Sequence, residues 1–122
     1  MSDTRVIFKV CRRSEWNAAV ALGRYEGSDD DRRDGFIHLS TQAQLAGTLA
    51  RHFRDEPDLV LVAFDSAALG ADLRWEPSRG GQLFPHLYAP LDPASAASTR
   101  TLAVDVDGIP ALGGEHLESE RS

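Results

Sequence analysis

The sequence holds one cysteine, Cys11, and one lysine, Lys9, the other 12 of its 13 basic residues being arginine. A single cysteine permits no intramolecular disulfide and gives no sign of an oxidising compartment. Long apolar runs are missing too, since Leu59 to Phe64 is the longest and a membrane helix needs ~20 residues. Met1-Ser2-Asp3-Thr4-Arg5 lacks the apolar stretch of a signal peptide, so a cytoplasmic chain without a membrane partner is expected. Positive charge is scarce: 13 basic residues face 19 acidic ones, a net charge of -6. Nucleic-acid affinity comes largely from neutralised phosphates, which disfavours general DNA or RNA binding. Any cationic site must be built mainly from planar, bidentate guanidinium groups. No G-x-G-x-x-G follows a strand and no G-x-x-x-x-G-K-[ST] occurs, so the Rossmann and P-loop routes to nucleotides are closed. Without a G-x-S-x-G elbow, serine hydrolysis has no support.

What remains is 122 residues with ordinary hydrophobic (42%) and charged (26%) shares, enough for one domain. It is expected over 1–109, followed by a flexible tail over 110–122 that begins at Pro110. Arg5 to Cys11 is β-branched and apolar and predicts a first strand. Ser14 predicts an N-cap for a helix to about Leu22, with Trp16, Ala19 and Val20 on its core face and Gly23 ending it. Tyr25 to Asp34, with its run of mixed charge, has no periodicity and predicts an exposed loop. Gly35 to Ser40 predicts one short strand leading into a second helix, where Thr41 and Gln44 have capping-box spacing and Leu45, Ala46, Leu49, Ala50 and Phe53 face the core. Leu59 to Phe64, apolar on both faces, predicts a central strand. Leu73 to Glu76 predicts a half-buried strand. Leu83 to Tyr88, interrupted by Pro85, predicts an edge strand or extended segment. Leu102, Val104 and Val106 mark a last strand. Two early helices followed by successive strands make the class α+β.

Three segments place apolar residues at one strand parity and reactive ones at the other. In Ile37-His38-Leu39-Ser40, His38 and Ser40 share a face; in Arg74-Trp75-Glu76 the guanidinium and carboxylate do; in His86-Leu87-Tyr88 the imidazole and phenol do. His38, Arg74, Glu76, His86 and Tyr88 are therefore expected to supply one cleft with cationic, acid-base and hydrogen-bonding groups. The plain alternatives are a strand-end histidine, a same-face ion pair and a structural turn at Pro85-His86. A metal held by His38, His86 and Glu76 lacks supporting spacing, so no metal site is expected. Cys11 reads as a small core residue rather than a nucleophile.

Gly35 to Thr41, Leu73 to Glu76 and Leu83 to Tyr88 together resemble the domain-of-unknown-function family 952, small bacterial and plant proteins, over about residues 5 to 106. The resemblance implies an ADP-ribosylation fold, a small split α+β sheet around a nucleotide cleft, with NAD or a related nucleotide as ligand. His38 and Ser40 look like the His-x-Ser/Thr element with which many ADP-ribosyltransferases bind a ribose, although Leu39 stands where a glycine often follows that histidine. The activity so implied is ADP-ribosyl or nucleotide-phosphate transfer on a small soluble substrate. His38 orients a ribose, Arg74 binds phosphate with Ser40 and Tyr88 beside it, and Glu76 or His86 stabilises charge or moves a proton. The rival expectation is a non-catalytic module that binds an anionic small molecule in the same cleft.

Overall fold

The computed structural model describes residues 5–104 and 110–111. Its framework is a five-stranded antiparallel sheet in the order β3-β1-β4-β7-β8, made of β1 (Val6–Arg12), β3 (Ser40–Thr41), β4 (Leu59–Asp65), β7 (Ser98–Val104) and β8 (Pro110–Ala111). β4 lies in the middle, buried from Leu59 to Phe64, as a strand apolar on both faces must be. A second antiparallel sheet, of order β2-β6-β5, contains β2 (Ile37–His38), β5 (Leu73–Pro77) and β6 (Leu83–Leu87). The class is α+β.

Strand parity separates two cores. Phe8, Val10, Leu59 and Leu61 point to one face, where Leu45 and Leu49 of helix α3 (Gln42–His52) cover them. Ile7, Cys11, Val62 and Phe64 point to the other, against Trp16 and Ala19 of helix α1 (Arg13–Leu22) and Ile37 and Leu87 of the second sheet. Thr41 caps α3 and its backbone N–H donates to the Gln44 side chain at 3.0 Å, as the spacing predicts.

Several expectations are corrected. α1 begins directly after β1, so its N-cap is Arg12 rather than Ser14, and the Glu15 carboxylate accepts from the Arg12 backbone N–H at 3.4 Å. Val20 is 55% exposed, because α1 buries only the stripe through Trp16 and Ala19; Ala46 of α3 is likewise exposed. Helix α2 (Asp29–Asp34) lies inside the segment expected to be an exposed loop, and a short α4 (Ser66–Leu69) follows β4. Tyr25 in that segment is buried and bridges to Leu91.

Gly35 to Ser40 is not one strand but two, belonging to different sheets. The chain changes sheet at Leu39, whose N–H donates to the Pro85 carbonyl at 3.0 Å. β6 is thereby the central strand of its sheet, not an edge. Pro85 is tolerated because a strand residue's N–H and C=O face the same neighbour, and on that side β2 has already ended. At the other end of the chain, the segment expected as a tail opens with β8, whose Pro110 and Ala111 pair with Val104 and Ala103; Val106 and 112–122 lie outside the described residues. Among the described residues no helix is long and apolar enough to cross a membrane.

Cys11 is 1% exposed and burial pushes its thiol up to about 12. We expect Cys11→Ser to cost about 1–2 kcal/mol by urea denaturation, and the wild-type thiol to react with iodoacetamide only after unfolding. Rapid alkylation of the native protein contradicts this burial.

Candidate functional site

β3 pairs with Ile7 and Phe8, and among the described residues the rest of β1 has no strand on that side. The gap is a cleft of about 230 Å³ bounded by β1, α2, the second half of α3 and the rim of the second sheet. Lys9 enters it from the core-facing parity of β1, between Ile7 and Cys11, and is only 6% exposed. Its ammonium donates to Asp31 at 2.9 Å and to the His38 carbonyl at 3.0 Å.

Asp31 is the acceptor around which this corner is arranged. It is 2% exposed, and its two oxygens accept from Lys9, from the Ser28 backbone N–H at 2.9 Å, and from the His38 backbone N–H and ring Nδ1 at 3.1 and 2.6 Å. Burial alone raises its pKa, but the His38 hydrogen bond and the charge and hydrogen bond of Lys9 outweigh it and hold the carboxyl well below its ordinary 3.8. The preceding turn is shaped for this. Gly27 has φ +110 and a Cβ there would lie 2.7 Å from that of Asp31, so only glycine fits.

His38 is held from both sides, since its Nε2 meets Asp34 at 3.0 Å while Nδ1 meets Asp31. Directly opposite on β6 stands His86, and opposite that on β5 stands Arg74. The two imidazole centroids are 5.7 Å apart. His86 is 5% exposed and its Nδ1 lies 2.8 Å from Glu76. The Tyr88 hydroxyl donates to the same Glu76 oxygen at 2.8 Å. The hydrogen bonds from His86 and then Tyr88 lower the Glu76 pKa and keep it ionised, while that to Glu76 raises the Tyr88 pKa.

Of the six residues singled out in the sequence, His38, Ser40 and His86 line the cleft, with Ser40 buried and its hydroxyl 2.9 Å from that of Thr48. Ile37 and Leu39 are buried, as their parity predicts. Arg74, Glu76 and Tyr88 share the sheet face with His86 but stand beside the cleft, not in its wall. Arg74 is exposed and stacks over Tyr88, its guanidinium carbon 4.9 Å from the ring centroid. Among the described residues no three His, Cys, Asp or Glu side chains converge in a group that could hold a metal.

Sequence reasoning missed Lys9, Asp31, Asp34 and Phe36. Phe36 stacks on His86 with centroids 4.0 Å apart and also packs against His38 and Tyr88. A signal for α2 was present: Ser28 and Asp31 have capping-box spacing, acids fill the first turn, arginines the last, and Gly35 follows.

Because the Asp31 pKa is depressed on folding, its contribution is complete above the unfolded value of 3.8 and is lost as pH falls below it. We expect denaturant-measured stability to fall steeply between about pH 4 and pH 2. Asp31→Asn should flatten that acid limb and, by leaving buried Lys9 without its carboxylate, cost about 3–5 kcal/mol at neutral pH. Unchanged stability in that variant would show that the ion pair does not hold this corner.

The family model described as Protein of unknown function (DUF952) matches residues 10–99. The crystal structure of protein CC0527 from Caulobacter crescentus is 50% identical, covers 88% of this chain and 95% of its own, and superposes with a TM-score of 0.87. A double-substituted form of that protein matches at 49% identity with the same coverage and a TM-score of 0.86. Its solution NMR structure matches at 50% identity, 88% and 93% coverage and a TM-score of 0.80. No curated protein matches the chain. With that family model spanning most of the α+β domain, and with homologous structures at half identity, the chain belongs to the Protein of unknown function (DUF952) family.

Proposed function

We propose that this protein is an enzyme of the ADP-ribosyl- or nucleotide-phosphate-transfer class, with the ADP-ribosylation fold that the resemblance implies and NAD or a related nucleotide as its ligand. One observation carries the reading: His86, buried in the cleft wall beside His38, has Nδ1 fixed by the ionised Glu76. A carboxylate on Nδ1 sets the ring's tautomer and orientation, so Nε2 is the nitrogen that takes or gives a proton. Glu76 acts through His86, and Tyr88 steadies Glu76. Two separated sheets with the cleft at their junction support a split-sheet nucleotide fold.

His38 has a different role. Both its ring nitrogens are engaged by carboxylates, so it orients the ligand as a ring fixed in place rather than moving a proton. Arg74, one strand from His86, takes the phosphate of the ligand. The same engagement of His38 favours the second reading, a binding module for an anionic small molecule, because it leaves one histidine instead of a pair for acid-base work.

Calorimetry with NAD, ADP-ribose and a sugar phosphate, together with NMR detection of released nicotinamide or transferred phosphate, tests both. His86→Gln should lower turnover by about 10²–10⁴-fold with binding retained. Arg74→Lys keeps the charge but loses the paired guanidinium bonds, and should weaken phosphate-bearing ligands by about 1–3 kcal/mol. Turnover indifferent to His86→Gln defeats the catalytic assignment; binding without turnover selects the module.

A further inference from the structure

Lys9, Arg33 and His38, which line the cleft, are each already held by carboxylates. Lys9 is closed on Asp31 and the His38 carbonyl and is nearly inaccessible. Arg33 donates to Asp34 through Nε and Nη2, at 3.0 and 3.3 Å, and to Asp30 through Nη1, at 3.1 Å. His38 lies between Asp31 and Asp34. The three carboxylates that hold these groups line the same cleft. A phosphoryl group entering here would shed its water to meet carboxylates, with no uncommitted arginine or lysine among the described residues of the wall to replace it.

The rest of the described wall consists of the His52 and His86 imidazoles, hydroxyls and apolar surface. Ser28, Ser40, Thr48 and Ser78 supply hydroxyls, and Phe53 and Phe84 supply apolar surface. Hydroxyl side chains both donate and accept, which suits a polyol, and the phenyl rings suit the apolar face of a sugar ring. Arg74 differs: it is exposed, lies outside the cleft opposite His86, and forms no ion pair among the described residues.

We infer that the cleft between His38 and His86 admits the uncharged, hydroxyl-bearing part of its ligand, a glycosyl ring, and excludes phosphate, which stays outside on Arg74. This rests on the reading of the cleft as a ligand site, and it assigns glycosyl rather than phosphoryl chemistry to the position beside His86.

The test uses the full chain with labelled histidines, titrated by NMR with methyl ribofuranoside, its 5-phosphate and inorganic phosphate. The riboside should shift the His38 and His86 ring signals, and inorganic phosphate should neither shift them nor compete. The 5-phosphate should bind more tightly than the riboside, by a factor that Arg74→Gln abolishes. Asp34→Asn, a change at the exposed end of α2, removes a carboxylate from the cleft and leaves Arg33 held by Asp30 alone, and should raise inorganic phosphate binding in the cleft at least severalfold, with circular dichroism confirming an unchanged fold. Phosphate that shifts His86 and displaces the riboside from the wild type overturns the inference, as does a riboside that leaves both rings unmoved. Selective riboside binding without turnover of any nucleotide refutes the catalytic reading and leaves this inference standing.

Discussion

The buried Lys9–Asp31 pair constrains everything around the cleft. Lys9 occupies a position in β1 whose parity directs it into the apolar core, and an isolated ammonium there would cost several kcal/mol. Asp31 answers it from 22 residues away. To bring that carboxylate inward the chain needs a helix whose first turn faces the strand, a capping serine at its start and a glycine before it that leaves room. Asp31 then has further lone pairs to fill, and the backbone and ring of His38 fill them. A charge placed in the core by the sequence is thus turned into the support of the candidate site.

A second constraint is the change of sheet at Leu39. His38 belongs to one sheet and Ser40 to the other, yet both border the same cleft because it lies at the junction. The irregularity is stabilised from the neighbouring strand, where the Pro85 carbonyl accepts the Leu39 N–H. Proline in a central strand and a strand broken after two residues are each unfavourable alone; here they coincide, and the Leu39 N–H and the Pro85 carbonyl satisfy one another.

The two histidines reach similar places by unlike means. His86 is buried, stacked under Phe36 and tied through one nitrogen to an ionised glutamate. His38 is more open and tied through both nitrogens. In the proposed reading that asymmetry separates a proton-moving group from an orienting one, and the carboxylates around His38 are the ground for proposing an uncharged ring there.

The sequence alone determined those features whose physics is local. Leu59 to Phe64, apolar at both parities, had to be a central strand. Thr41 and Gln44 marked the start of α3, and alternation put Ile37 and Leu39 inside with His38 on the opposite face. Cross-strand order was invisible, so the alignment of His38, His86 and Arg74, from strands far apart in the chain, could be expected but not measured. α2 was missed because six charged residues carry no apolar periodicity, although its capping and charge order were legible. Only the tertiary structure decided that Asp31 is buried while its neighbours Asp29 and Asp30 are exposed, and that Arg74 stands outside the cleft. The physical reason is the same in both cases: a charged side chain settles where its counter-charge or aromatic partner lies, and Lys9 and Tyr88 are brought to those positions by pairing between distant strands and helices.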